Sequence, residues 1–170
     1  MCGFVCVVDR NQLPSEKMLL EMTNLLAHRG PDNCDIYLDS QVGLGSRRLR
    51  VHDTTTGADQ PFISNCENFI LVFNGAIYNY LELKRDLVSK GCVFKTKSDS
   101  EVLLQGHILY GESFVRKLEG MFSYVIYDKS KNVIDIYRDH LGIKPLYYYN
   151  KNNLFISIRF ELFKTSPNFG

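Results

Sequence analysis

No apolar stretch in this chain approaches the roughly 18 residues that a membrane span needs, so no membrane partner is predicted. The apolar run Gly3–Val8 is also too short for a signal-peptide core, and Asp9 and Arg10 end it. Charge of one sign is not in excess: 20 Lys and Arg face 19 Asp and Glu, for a net +1. The densest basic cluster, Arg47-Arg48-Leu49-Arg50, is too short for a nucleic-acid surface, and no nucleic acid is predicted. The five cysteines (Cys2, Cys6, Cys34, Cys66 and Cys92) include no CxxC pair. That odd set predicts reduced thiols and a cytoplasmic setting. Cys2-x-x-x-Cys6 lacks a matching second ligand pair, which argues against a metal site. Internal repeats, low-complexity tracts and linkers rich in Pro, Gly and Ser are missing too. A chain of 170 residues without such breaks predicts one domain with a real core.

What is present reads as short strands interleaved with helices. Gly3–Val8 suits a strand buried on both faces. Leu13-Pro14-Ser15-Glu16 opens a helix, with Pro in its first turn and an acid near its positive end. Met18, Met22, Leu25 and Leu26 form its apolar stripe, and His28-Arg29-Gly30-Pro31 stops it. Strands are predicted at Asp35–Leu38 and Gly43–Arg48, then a polar ordered loop over His52–Pro61. Phe69–Phe73 is a buried strand ending on the turn dipeptide Asn74-Gly75. A helix over Asn79–Lys90 closes at Gly91. Ser98-Asp99-Ser100-Glu101 is a capping box that starts a helix ending near Gly111. Met121–Asp128 and Val133–Arg138 form a hairpin, as do Tyr147–Tyr149 and Leu154–Ser157. Several strands are apolar on both faces, which two stacked antiparallel sheets with helices outside would explain.

Cys2 is the first candidate for chemistry. Removal of Met1, favoured before a small side chain, would put a thiol and a free α-amine on one carbon. The amine titrates near ~7.7–8.0 and the thiol near ~8.5, so one residue would supply both nucleophile and base. Read by itself, Met-Cys-Gly more often only opens a strand.

The rest of the chain changes that balance. Met1-Cys2-Gly3-Phe4, His28-Arg29-Gly30-Pro31-Asp32, Arg48-Leu49 and Gln60-Pro61 occur in order. Asn74-Gly75-Ala76-Ile77-Tyr78-Asn79, Ser98-Asp99-Ser100-Glu101, Gly120-Met121-Phe122 and Arg138-Asp139-His140-Leu141-Gly142-Ile143-Lys144-Pro145-Leu146-Tyr147-Tyr148 follow. Over nearly the whole length the chain resembles the class II glutamine amidotransferase domain of glutamine-hydrolysing asparagine synthetases. The resemblance implies an α+β fold, the four-layer αββα sandwich of N-terminal-nucleophile hydrolases. It implies hydrolysis of glutamine to glutamate and ammonia through a Cys2 thioester, with Asn74 and Gly75 as oxyanion donors. Arg48 would bind the substrate α-carboxylate and Asp99 its ammonium, and Leu49, Arg50, Val51 and His52 would shape the pocket. The implied partners are L-glutamine and a synthetase domain or subunit that receives the ammonia; a homodimer is left open. His28–Asp32 would be a structural loop near the nucleophile. Asp139, Gly142 and Lys144 would be scaffold or interdomain residues.

Three departures from the family pattern stand out. The family's usual glutamate is Ala76 here, which removes one of two partners for the substrate ammonium. The usual Ser-Glu after the last hairpin is Ser157-Ile158. No Ser-Gly-Gly-x-Asp-Ser phosphate loop is present, so residues 1–170 read as the amidotransferase domain lacking its last strands and its synthetase domain. No cofactor is expected in this domain; ATP and Mg would belong to the synthetase domain. The competing function is a non-catalytic glutamine-sensing or scaffolding domain, for which Ala76 is the motive.

Overall fold

A computed structural model describes residues 2–51 and 54–158. The run that reads as a doubly buried strand is β1 (Gly3–Asp9), in which Phe4, Val5, Cys6 and Val7 are fully buried. It lies at the centre of a five-stranded antiparallel sheet with β2 (Asn33–Asp39), β3 (Val42–Arg48), β8 (Tyr147–Lys151) and β9 (Leu154–Ile158), in the order β2-β3-β1-β9-β8. A second antiparallel sheet has the order β4-β5-β6-β7, formed by β4 (Phe62–Ile63), β5 (Phe69–Ile77), β6 (Gly120–Asp128) and β7 (Val133–Arg138). Alternate residues of each buried strand face opposite layers. Phe4 and Cys6 therefore meet Ile70, Val72, Val125 and Tyr127 between the sheets. Val5 and Val7 face the other way, onto α1 (Glu16–Asn24). On the far side, Leu71, Phe73, Tyr124 and Ile126 pack against α2 (Tyr80–Ser89) and α3 (Asp99–Tyr110). The layers run α, β, β, α, as the resemblance implies.

Four local expectations need correction. In α1 the buried face is Leu19 and Thr23, continued by Leu26, while Met18 and Met22 are half-buried and Leu25 is 65% exposed. The helix ends at Asn24, so Leu25 already belongs to the turns that follow. Asn74-Gly75 is no turn: β5 runs on to Ile77, with Asn74 paired to Ser123 and Gly75 to Phe122. The glycine answers to a close approach, since a Cβ there would sit 2.2 Å from the Met121 carbonyl oxygen. The polar segment 52–61 contains a short helical turn, Thr56–Ala58, and ends at β4, a two-residue strand too short to leave a periodic signal. Finally, Ser98 caps α3 by accepting the Ser100 N–H at 3.1 Å, but Glu101 does not close the box. Its carboxylate turns to the preceding loop and accepts the Lys95 and Thr96 N–H groups and the Thr96 hydroxyl.

Candidate active site

The antiparallel pairing of β1 with β3 matches Gly3 to Arg47, so Cys2, just before β1, emerges beside the end of β3. Its Sγ lies 3.8 Å from the Leu49 carbonyl oxygen. A cavity of about 160 Å³ opens there. Arg48, Leu49 and Val51 line it from the exit of β3, Phe73, Asn74, Gly75 and Ala76 from β5, and Ser98, Asp99 and Ser100 from the start of α3. Gln60, Met121 and Lys144 complete the wall. Arg50 lies outside this lining, and His52 lies outside the described residues.

The end of β5 explains how backbone donors reach the cavity. In an antiparallel strand, alternate N–H groups point to the same edge. Phe73 donates to Gln60 Oε1 at 2.6 Å and Ile77 to Asp99 Oδ2 at 3.1 Å, both on the edge away from β6. Gly75 lies between them with the same parity, so its N–H faces the cavity. Because β4 pairs only with Ile70 and Leu71, no strand among the described residues covers this edge. Asn74 is 1% exposed, and its Nδ2 has no hydrogen-bond partner among the described residues. A buried amide donor left unmade costs about 1–3 kcal/mol, so an acceptor at this position would be bound strongly.

Charge of both signs lines the cavity. Asp99 is 6% exposed, in the first turn of α3, where the helix N-terminus favours a carboxylate. Arg48, also 6% exposed, donates from Nη1 to the Thr55 carbonyl at 2.9 Å and to Asp59 Oδ1 at 2.5 Å. Burial works to raise the Asp59 carboxyl, but hydrogen bonds from Arg50, Arg48 and Asn33 outweigh it and hold it below its ordinary value. Unlike Cys2, which is half-buried, Cys6 is fully buried, and burial pushes its thiol up to about 12, which leaves it inert.

Sequence reasoning brought Cys2, Arg48, Leu49, Val51, Asn74, Gly75, Ala76 and Asp99 to one place, and they are together. Gln60, assigned no role in the site from sequence, and Lys144, read as scaffold or interdomain, line the same cavity. Asp139 is indeed scaffold: its carboxylate accepts the N–H groups of Phe122, Ile143 and Lys144. Burial works to raise it, and these donors outweigh burial and lower it. That fold of residues 139–144 delivers Lys144, 4% exposed, into the cavity wall. The only sequence signal for this was a lysine closely following an aspartate in the Asp139–Lys144 motif. His28–Asp32 is a supporting loop: Asp32 donates its N–H to the Arg48 carbonyl and accepts the Arg50 N–H at 2.8 Å. A Cβ on Gly30 would fall 2.4 Å from the Arg47 backbone, so the loop lies directly on β3.

Two antiparallel sheets between helices make the four-layer αββα sandwich of the N-terminal-nucleophile hydrolase fold. The structure of glutamine phosphoribosylpyrophosphate amidotransferase from Bacillus subtilis superposes with a TM-score of 0.76 at 19% identity, covering 93% of this chain and 42% of that one. The sequence profile of the glutamine amidotransferase domain matches residues 1–169, and the chain belongs to that family. It is 42% identical over 157 residues to asparagine synthetase [glutamine-hydrolyzing] 1 of Bacillus subtilis, covering 90% of this chain and 25% of the relative. Asparagine synthetase B [glutamine-hydrolyzing] of Escherichia coli is 38% identical over 149 residues, covering 86% and 26%. The chain thus spans about a quarter of the length of these relatives.

Proposed function

We propose that this domain hydrolyses the side-chain amide of L-glutamine, in the cytoplasm, and hands the ammonia to an ATP- and Mg-dependent synthetase domain or subunit of the asparagine-synthetase type. The Cys2 thiolate, with Met1 removed, attacks the carboxamide carbon. The oxyanion that forms takes hydrogen bonds from Asn74 Nδ2 and the Gly75 N–H. Collapse breaks the C–N bond, and the Cys2 α-amine gives the thiol's former proton to the departing ammonia. Water then attacks the γ-glutamyl thioester, releasing glutamate and restoring the thiol. Arg48 holds the α-carboxylate and Asp99 the ammonium, which selects a free amino acid over other amides.

The observation that carries this reading is the Asn74 amide: a buried donor without an acceptor among the described residues, lining the cavity that contains Cys2. The test is glutamate release from glutamine by the whole protein. Cys2→Ala should abolish it, and Asn74→Ala should lower kcat about 10²–10³-fold with a smaller effect on KM. Glutamine binding without glutamate release in the wild type would give the function to the sensing alternative instead.

A further inference from the structure

We propose that Asp59 is the positioning residue for Arg48, an inference that rests on the glutaminase reading and adds to it a residue outside the cavity. Asp59 Oδ1 accepts Arg48 Nη1 at 2.5 Å and Arg50 Nε at 3.2 Å, while Oδ2 accepts Arg50 Nη2 at 2.7 Å and Asn33 Nδ2 at 2.6 Å. One carboxylate therefore receives four hydrogen bonds from three side chains, two from the exit of β3 and one from β2. Asn33 comes from β2, and Asp59 is anchored by its own N–H on the Thr56 carbonyl. With Nη1 fixed by both Asp59 and Thr55, the plane of the Arg48 guanidinium is set. A planar fork binds a carboxylate with two bonds at less entropic cost when its plane is held beforehand.

Charge gives a second reason. Arg48 and Arg50 converge on one anion, and without it two guanidiniums would repel across a short gap. The three groups sum to +1, which matches one substrate carboxylate. The chain neighbour also matters: Gln60, next to Asp59, accepts the Phe73 N–H on the β5 edge. A single dipeptide thus ties Arg48 to the β5 edge that carries Asn74 and Gly75.

The opposite reading of the same contacts is that Asp59 competes with substrate for Arg48, and the two differ in sign. Steady-state kinetics of Asp59→Asn and Asp59→Glu in the whole protein separate them, with iodoacetamide alkylation of Cys2 read by peptide mass. Positioning predicts that Asp59→Asn raises KM for glutamine about tenfold with kcat within about twofold. Asp59→Glu, which keeps the charge, should recover most of that loss, and Cys2 should alkylate at the wild-type rate in both. An unchanged KM, a lowered KM, or a joint fall of kcat and alkylation overturns the positioning role while glutamate release remains sensitive to Cys2→Ala. A wild-type protein that releases no glutamate removes the glutaminase reading and this inference together.

Discussion

At position 76 a methyl group faces a cavity in which Asp99 is the only acid among the described lining residues, against the cations Arg48 and Lys144. An amino-acid substrate brings an ammonium as well as a carboxylate, and Asp99 already spends Oδ2 on the Ile77 N–H. A second carboxylate beside Gly75 would give that ammonium another acceptor. Ala76→Glu should lower KM for glutamine about fivefold, a gain of ~1 kcal/mol, below the ~1.5–3 kcal/mol of a charged hydrogen bond because the site is partly wetted. Steady-state kinetics at fixed pH check it, and an unchanged KM means the ammonium is held from elsewhere. Most of this site was legible residue by residue, because Cys2, Arg48, Asn74, Gly75 and Asp99 stand in recognisable local motifs. Gln60 and Asp59 were not, because their roles depend on which strand edge and which guanidinium the fold brings to them. A polar stretch such as 52–61 carries no periodicity from which to read either.

Elements were legible wherever burial imposes a period, and less so wherever a side chain chooses between two backbone partners. The start of α3 shows both. Ser98 was identifiable as the N-cap, yet Glu101 bonds the Lys95–Thr96 loop rather than the Ser98 N–H, which donates instead to Thr96 Oγ1 at 3.1 Å. Local sequence allows either geometry, and the loop before the helix decides between them. That choice has a functional consequence, since the same first turn carries Asp99. Glu101 is 2% exposed, so Glu101→Ala leaves two backbone N–H groups and a hydroxyl without their acceptor. The expected loss is about 1.5–3 kcal/mol of stability, measured by urea unfolding, with a rise in KM as Asp99 loosens. Loss of stability without any change in KM would uncouple the loop from the site. The Asn74-Gly75 pair teaches the converse lesson: a dipeptide typical of turns continues a strand when its neighbour leaves no room for a Cβ.

Across the whole molecule, carboxylates join parts of the chain that lie far apart in sequence, and all of them depend on charge. Asp39 on β2 meets Lys129 in the turn between β6 and β7, Asp59 collects Arg48 and Arg50, and Asp139 gathers three backbone donors. Burial works to raise each carboxyl, and the donors outweigh it, so all three titrate below their ordinary value. A folded pKa below the unfolded one contributes stability that is complete above about 3.9 and is lost as pH falls through the folded value. His107 on α3 acts in the same direction at a higher pH. Burial favours its neutral form and outweighs Asp135 on β7, 3.3 Å away, so its folded pKa lies below 6.5. Its contribution is complete above about 6.5 and declines as the pH drops below that. Thermal stability should therefore fall in two stages on acidification, a shallow one below about 6.5 and a steep one below about 4. His107→Gln, which cannot take up a proton, should remove the first stage and leave the second, as read from Tm against pH by calorimetry. A variant that keeps the upper stage would place it on another group and deny His107 any part in holding α3 to β7 at neutral pH.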